Sequence, residues 1–314
     1  MKVGPGGIYT QGDISALGGI KMIEGATDGY ILTSDSTGNA SWQPVDITST
    51  LGFPSTPDFS CAGEVGTVST GSWPYSIATS GSYAYVVDIT GNDLKVFDVH
   101  DPGSPVLAGS LPVGNTPEDI VVSGTYAYVI DYTDGDLKVI DISIPSSPAI
   151  SGSVAVGANP EGLAVSGNYV YVVHGGSSAL QVIDVSDPTT PVVTGSLGLG
   201  TIPKAVAISG NYAFVVDLGS DDLKVIDVSD PFSPSLTGTL AVGTSPLDVG
   251  VAGSYAVIID SGSDDLKVVD ASDPSNPTIT GSVALGLSPA ALDIQGNYAF
   301  VVDPSGPNLD LKVV

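Results

Sequence analysis

Short apolar runs alternate with breaker residues along most of this chain. The runs are rich in Val, Ile, Tyr and Leu, and Gly, Asn, Asp, Ser or Pro separates each from the next. Runs of about four to eight residues with such boundaries predict β-strands, because these breakers supply positive φ or remove an amide donor. Helical periodicity is missing from the sequence. The pattern therefore predicts an all-β fold.

The runs belong to a repeat of 43 residues. A tyrosine opens one run of each repeat, at Tyr83, Tyr126, Tyr169, Tyr212, Tyr255 and Tyr298. Each repeat has room for four strands, and a period of about 40 to 50 residues with four strands is typical of a β-propeller blade. We therefore predict a propeller with four-stranded antiparallel blades.

The chain stops after three strands of the last repeat, which ends at Val314. An extra strand-like segment, Gly63 to Ser69, precedes the first complete repeat, and its Gly66 matches Gly109 one period later. A propeller closes its ring to avoid a free strand edge. We therefore predict six blades, with residues 63–69 completing the last one.

The repeated phrases resemble a known family. "DLKVIDVSDPFSP" (Asp222 to Pro234) and "SGNYAFVVD" (Ser209 to Asp217) look like the LVIVD-type β-propeller repeat of bacterial and viral surface proteins. The resemblance covers about residues 59–314. It implies a scaffold and names no activity, because one fold hosts many functions.

The first 56 residues lack the repeat. "GATDGYILTSDSTGNASWQ" (Gly25 to Gln43) predicts a hairpin that turns at Asp35 to Asn39, and Pro44 to Pro57 is typical of a linker. The segment resembles modules of phage and viral tail-fibre or virion-surface proteins, which implies attachment or oligomerisation. We therefore predict an attachment module at 1–56 and a propeller at 57–314. The alternative is an ordinary extension packed on the propeller.

The charge of the chain excludes several partners. It has 34 acidic and 8 basic residues, a net charge of -26, and every basic residue is a lysine. Nucleic acids and anionic membranes require cationic surfaces, so we predict neither as a partner. Five lysines share one position of the repeat and are expected to pair with nearby carboxylates: Lys95, Lys138, Lys224, Lys267 and Lys312.

No apolar run reaches the length of a membrane span, and the start "MKVGPGGIYTQGD" has no signal-peptide core. Together with the tail-fibre resemblance, this leads us to expect a protein at the surface of a virion or outside a cell. Cys61 is the single cysteine. We expect it to be buried as a small apolar residue.

The sequence contains few candidate catalytic residues. The two histidines, His100 and His174, occupy different positions of the repeat. No G-x-S-x-G, G-x-G-x-x-G or P-loop motif is present. The sequence therefore predicts a protein that is not an enzyme.

Acidic residues cluster between the second and third strands of most repeats, as at Asp217, Asp221 and Asp222. Such oxygens could contribute to a calcium site. The third repeat has no acid there, however, and the spacing differs from an EF-hand. We therefore predict solvated turns and no cofactor, with calcium as the alternative.

The two positions after the repeated proline differ between repeats, at the expected mouth of the central channel. Concave mouths with a few polar groups are common ligand sites. We predict a site for a cation or a small polar ligand, and drift at an exposed rim is the alternative. The candidate residues are Tyr75, Glu118, Asp119, Glu161, Lys204 and Asp248.

Together these features predict a non-enzymatic structural or adhesive component of a virion or filament. Residues 1–56 would mediate self-assembly or bind other structural proteins, and the propeller would contact a protein or glycan receptor. One alternative is a calcium-dependent propeller hydrolase of the lactonase type, with its site at the channel mouth. Another is a purely structural subunit that adds a strand to a neighbour's sheet.

Overall fold

The computed structural model describes residues 66–286, 288–303 and 310–314, together with four N-terminal strands. The chain divides into two compact units, Met1–Glu64 and Val65–Val314. In the first unit, two antiparallel pairs form: β1 (Lys2–Gly4) with β2 (Gly7–Tyr9), and β3 (Tyr30–Ser34) with β4 (Ala40–Pro44). The second pair flanks the predicted hairpin turn. That turn and Cys61 lie outside the described residues.

The second unit contains six antiparallel sheets, which are the blades. Blade 1 is β5 (Pro74–Ser80), β6 (Tyr83–Asp88), β7 (Asp93–Asp98) and β8 (Val106–Pro112). Blade 2 is β9 (Pro117–Ser123), β10 (Tyr126–Asp131), β11 (Asp136–Asp141) and β12 (Ala149–Ala155). Blade 3 is β13 (Pro160–Ser166), β14 (Tyr169–His174), β15 (Ala179–Asp184) and β16 (Val192–Gly198).

The remaining blades continue the same order. Blade 4 is β17 (Pro203–Ser209), β18 (Tyr212–Asp217), β19 (Asp222–Asp227) and β20 (Ser235–Ala241). Blade 5 is β21 (Pro246–Ala252), β22 (Tyr255–Asp260), β23 (Asp265–Asp270) and β24 (Thr278–Ala284). Blade 6 is β25 (Ala291–Gln295), β26 (Tyr298–Asp303) and β27 (Asp310–Val313). The prediction of an all-β, six-bladed propeller is confirmed.

Each blade runs outward from the centre of the ring. Its strands pair in chain order, and the first strands of successive blades contact one another along the axis. The first and second strands join through a two-residue turn, as at Gly167, which lies between Ser166 and Tyr169. Gly167 has a φ of 58°. A side chain is unfavourable in this left-handed conformation, so glycine suits the turn.

The core lies between blades. One buried cluster, for example, joins Ile130 and Leu137 of blade 2 to Leu163 and Val170 of blade 3. The middle strands are buried on both faces, which explains why their sequences are continuous apolar runs instead of alternating ones. Each blade is therefore stabilised mainly by its neighbours in the ring.

The side of blade 1 that faces blade 6 is more exposed to solvent than the equivalent side of blade 2. The side of blade 6 that faces blade 1 is likewise more exposed than the equivalent side of blade 4. Ile77 of β5 is 63% exposed, whereas the equivalent Ile120 of β9 is 3% exposed. On blade 6, Leu311 is 58% exposed, whereas the equivalent Leu223 of blade 4 is fully buried. Positions that are core residues elsewhere are therefore open to solvent on these two sides.

The predicted closing segment is described only from Gly66 onward, and residues 66–70 are assigned to no strand. A Cβ on Gly66 would clash with the carbonyl oxygen of Pro102, and one on Gly109 would clash in the same way with that of Pro145. Gly66 thus contacts blade 1 as an outer-strand glycine contacts the next blade. Completion of blade 6 by residues 63–69, and the boundary at residue 56, stay predictions.

Candidate functional site

The first strand of each of blades 1 to 5 begins with a β-bulge, and the bulged residue differs between blades. In blade 2, Pro117 pairs with Asp131 and Asp119 pairs with Ile130, which leaves Glu118 without a partner in the ladder. Bulges redirect side chains and are frequent beside active sites. The bulged residues are Tyr75, Glu118, Glu161, Lys204 and Leu247.

Four of these residues, from adjacent blades, interact. The Tyr75 phenol lies close enough to the Glu118 carboxylate for each group to shift the pKa of the other. The Lys204 ammonium forms an ion pair with the Glu161 carboxylate. Tyr75 is half-exposed and Glu118 is buried.

The electrostatics of this group favour a carboxylate that can take up a proton. Burial raises the pKa of the Glu118 carboxyl, against the hydrogen bond from Tyr75 and the charge of Lys204, which favour the ionised form. Burial and the nearby Glu118 charge also raise the pKa of the Tyr75 phenol, so it remains a donor at neutral pH. A carboxylate with a raised pKa is suited to general base catalysis.

Gly175, just after β14, makes room for the Glu161 side chain. A Cβ at this position would lie 2.9 Å from Oε1 of Glu161. The equivalent residues of the other four-stranded blades all carry side chains: Ile89, Tyr132, Leu218 and Ser261. Gly175 is therefore one of the residues that make the site differ between blades, and the sequence analysis did not identify it.

Asp119 lies one residue beyond the bulge and braces three first strands. Its carboxylate accepts hydrogen bonds from Ser76 Oγ at 2.7 Å, from the Ile120 amide at 2.8 Å and from the Leu163 amide at 3.1 Å. Burial nevertheless raises its pKa to about 6. Its oxygens are thus committed to the strands that line the channel.

Asp248 has the same position three blades further on. Its carboxylate accepts hydrogen bonds from the amides of Val249 and Leu292, each at 2.8 Å. Burial raises its pKa to about 6 as well, and its charge contributes to the raised pKa of Asp119. The structure thus places Asp119 near Tyr75 and Glu118, and it places Asp248 as a brace between blades 5 and 6.

The repeated lysines pair with carboxylates, as the sequence predicted. In blade 4, Lys224 Nζ lies 3.1 Å from Asp217 and 2.5 Å from Asp222. Asp217 also accepts a hydrogen bond from the Ile202 amide at 2.8 Å, so it ties the loop between blades to its own blade. We call this arrangement of a strand-end aspartate and a third-strand lysine the blade hub.

The prediction of solvated acidic turns is wrong for the first acid of each turn. Asp88, Asp131, Asp217 and Asp260 are buried, because each carboxylate binds backbone amides of the adjoining loops. Among the described residues, no three His, Cys, Asp or Glu side chains are placed to hold a metal ion. Calcium binding stays the alternative that the sequence raised.

The two histidines lie in different environments. His174 ends β14, where the other four-stranded blades have the hub aspartate, and it is fully buried. Burial lowers its pKa to about 4, so it is neutral at physiological pH. His100 lies in the exposed turn after β7. The structure brings neither histidine into the group at the bulges.

The fold and the repeated blades place the chain in the class of β-propeller repeat proteins. A family model described as the LVIVD repeat matches residues 75–112, 114–156, 159–197, 203–242 and 245–284. The chain belongs to the LVIVD repeat family. No curated protein matches the chain. The described residues include no helix with the length and hydropathy of a membrane span.

Solved structures share the fold at low identity. A protein from Lactobacillus plantarum matches with a TM-score of 0.70 and 14% identity, over 93% of this chain and 92% of that one. A protein from Bacteroides uniformis assigned as a 6-phosphogluconolactonase matches with 0.67 and 14%, over 92% of both chains. The periplasmic gluconolactonase of Pseudomonas aeruginosa matches with 0.68 and 14%, over 90% of this chain and 86% of that one.

These structures correct one prediction. We expected a protein that is not an enzyme because the sequence has no catalytic motif. Two of the three similar structures bear the names of lactonases, so this fold carries enzymes and the expectation is wrong. The likeness itself establishes the fold alone. No comparison shows the tail-fibre resemblance of residues 1–56, which stays a prediction.

Proposed function

We propose that this chain is a hydrolase that opens uncharged lactone rings at the mouth of the central channel. One observation carries the proposal: adjacent bulges bring the buried carboxylate of Glu118 near the ammonium of Lys204, whose charge favours the ionised form of Glu118. A base can activate the attacking water, and a positive charge can stabilise the oxyanion that forms when an ester bond is hydrolysed. The lactonase names among similar structures support the same reaction class.

In the proposed reaction, the Glu118 carboxylate takes a proton from a water molecule that attacks the lactone carbonyl carbon. Lys204 stabilises the negative charge that develops on the carbonyl oxygen. The bond between the carbonyl carbon and the ring oxygen then breaks, and the ring oxygen receives the proton from Glu118. The product is a hydroxy acid. Tyr75, which lies beside Glu118 and favours its ionised form, keeps the base ready to accept the proton.

The charges of the propeller favour an uncharged substrate over a phosphorylated one. The candidate residues include four carboxylates and one ammonium, so they present a net negative charge that repels a phosphate group. Lys95, Lys138, Lys224 and Lys267 are each paired with the aspartate that begins the same strand. A phosphate group requires cations that are free to bind it, and the chain has no arginine. We therefore expect a neutral sugar lactone.

The test is acid release in a pH-stat, with gluconolactone and its 6-phospho form as substrates and spontaneous hydrolysis subtracted. We expect Glu118→Gln and Lys204→Met each to lower kcat by about 100-fold, the usual scale for losing a catalytic base or a charge that stabilises the transition state. Asp293→Asn, which removes an exposed carboxylate of β25, is the control. Wild-type rates in Glu118→Gln would contradict the proposal. Assays with added calcium or EDTA test the calcium alternative.

We also propose that residues 1–56 attach the propeller to a larger assembly outside a cell or on a virion. Their place in a separate compact unit, Met1–Glu64, supports this role, as does the tail-fibre resemblance. Light scattering on the full chain and on a variant starting at Pro57 tests it. Assembly of the full chain alone is expected, and monomers in both would contradict it.

A further inference from the structure

One turn departs from the repeat at an exposed position. Between the third and fourth strands, the turns of blades 1, 3, 4 and 5 each carry an aspartate before the proline: Asp101, Asp187, Asp230 and Asp273. Blade 2 has Ile144 at this position, and Ile144 is 61% exposed. A large apolar residue therefore replaces an acid at a point that solvent reaches.

The aspartate stabilises the turn in the other blades. Asp101 accepts a hydrogen bond from the Gly103 amide at 2.9 Å, and Asp230 accepts one from the Phe232 amide at 3.0 Å. The Ile144 side chain has no acceptor, so the turn of blade 2 cannot form this bond. The replacement removes a hydrogen bond and adds exposed apolar surface, which favours a role in binding over a role in stability.

Ile144 lies close to two more exposed apolar residues, on the outer strand of blade 1. The turn of blade 2 packs on β8, because a Cβ on Gly109 would lie 2.5 Å from the carbonyl oxygen of Pro145. Val106 and Leu107 begin β8 and are 53% and 54% exposed. We call Val106, Leu107 and Ile144 the junction patch. Apolar residues grouped on the surface of a soluble protein are typical of interaction sites.

The strand that carries two residues of the junction patch is also a sheet edge. β8 is the outermost strand of blade 1, and among the described strands it pairs with β7 alone. An edge strand offers backbone N–H and C=O groups, to which an extended segment can add as a further strand. The patch and the edge together therefore favour an extended polypeptide as the partner.

The acids around the junction patch define the charge of that partner. Asp98 is opposite Val106 in the ladder, and Asp101 lies in the exposed turn before β8. Asp141 ends β11, just before the turn that carries Ile144. The lysines of both blades pair with other aspartates, at the far end of the third strands. A second copy of this chain, with a net charge of -26, is therefore repelled, whereas basic residues are attracted.

We propose that the junction patch binds an extended polypeptide segment that has apolar residues at its centre and lysine or arginine at its ends, and that adds as a strand to the edge of β8. The patch lies at the opposite end of the blades from the bulges. In β10, Asp131 lies beside the bulge, whereas Tyr126 pairs with Asp141 at the end that leads into the turn. Binding at the patch therefore does not depend on the proposed hydrolysis.

Fluorescence anisotropy tests the proposal on the full chain, with the labelled peptide KTVTITVTK as the probe. We expect saturable binding to the wild type and about tenfold weaker binding to Ile144→Asp, since burial of an isoleucine side chain contributes on the order of that factor. This variant restores the residue of the four other turns, so it is expected to fold. No saturable binding to the wild type would overturn the proposal.

The charge of the variant makes the comparison stricter. Ile144→Asp adds a negative charge, which by itself would strengthen the binding of a basic peptide. Weaker binding to this variant therefore reports the loss of the apolar contact. Equal or tighter binding would mean that charge alone attracts the peptide, and the proposal would fail.

Two controls test the position of the site and the role of the strand edge. Phe232→Ser removes an exposed apolar side chain from the turn of blade 4 and introduces the residue that blade 5 has there, Ser275. It should leave the affinity unchanged. The same peptide with its central amides N-methylated cannot pair with an edge strand and should not bind. Weaker binding to Phe232→Ser, or full binding of the methylated peptide, would contradict the proposal.

Discussion

Gly175 matters to the candidate site because it has no side chain. Its missing Cβ leaves space for the Glu161 carboxylate, which pairs with Lys204. Four other blades carry a side chain at this position, so the ion pair depends on a deviation from the repeat in blade 3. The candidate site is thus defined by small departures from a regular scaffold.

Gly175→Ala is predicted to lower lactone hydrolysis while leaving the fold stable. The added methyl group meets the flexible end of Glu161, so the side chain moves and its pairing with Lys204 weakens. The change in Tm should stay small, because no backbone atom is displaced. The measurement is kcat by pH-stat together with thermal unfolding.

Gly198→Ala, at the end of β16, is the matched control because a Cβ there meets nothing within 4 Å. A variant at position 175 with unchanged activity would show that the Glu161 pairing has no part in the reaction. An equal loss of activity in both variants would point to a general effect on blade 3.

At the scale of the elements, the first strands are braced by carboxylates that lie between them. Asp119 joins β5, β9 and β13, and Asp248 joins β21 and β25. Burial raises the pKa of both carboxyls to about 6, from an ordinary value of 3.8. Their ionisation therefore affects the stability of the strands that form the channel.

Both carboxyls hold a proton more tightly in the folded chain than in the unfolded one. Between about pH 4 and pH 6 the folded state binds more protons, so their contribution to the free energy of unfolding falls as the pH rises. Asp248→Asn should therefore show a smaller fall across this window than the wild type. Urea unfolding at several pH values measures it. Asp101→Asn, in an exposed turn, is the control, and identical slopes in wild type and Asp248→Asn would contradict the prediction.

The sequence predicted the strands because their apolar runs and breakers are local signals that recur every 43 residues. It also located the bulge position, since residues such as Glu118 and Lys204 vary there within a nearly constant repeat. The burial of Asp217 could not be predicted, because an acid in a turn is normally solvated and its amide partners come from the loop between blades. The role of Gly175 likewise depends on the path of another strand.

At the scale of the whole molecule, the ring is uniform except at blades 1 and 6. The side of each blade that packs on its neighbour uses the same repeat positions, yet Ile77 and Leu311 are exposed. Gly66 nevertheless contacts the turn at Pro102 as the outer-strand glycines of blades 1 to 4 contact the turns of the next blades. Residues just before blade 1 therefore already belong to the packing of the ring.

Gly66→Val is predicted to destabilise the propeller, by about 1 to 3 kcal/mol, the usual cost of overpacking. The new side chain would clash with the backbone at Pro102, which cannot move aside easily. Gly281→Val is the matched control, because Gly281 has the same repeat position in blade 5 and a Cβ there meets nothing within 4 Å. Chemical unfolding of both variants measures the difference. Equal stability would mean that residue 66 lies in a dispensable extension.

The hub lysines have a consequence for proteolysis. Trypsin cuts only after lysine or arginine, and this chain has eight lysines and no arginine. The side chains of Lys95, Lys138, Lys224 and Lys267 are at most 16% exposed, so cleavage there requires a blade to open. Cuts after Lys95 and Lys138 would release one repeat length of chain. Trypsin therefore reports the opening of blades 1, 2, 4 and 5 separately, whereas blade 3 has Gln181 at the equivalent position.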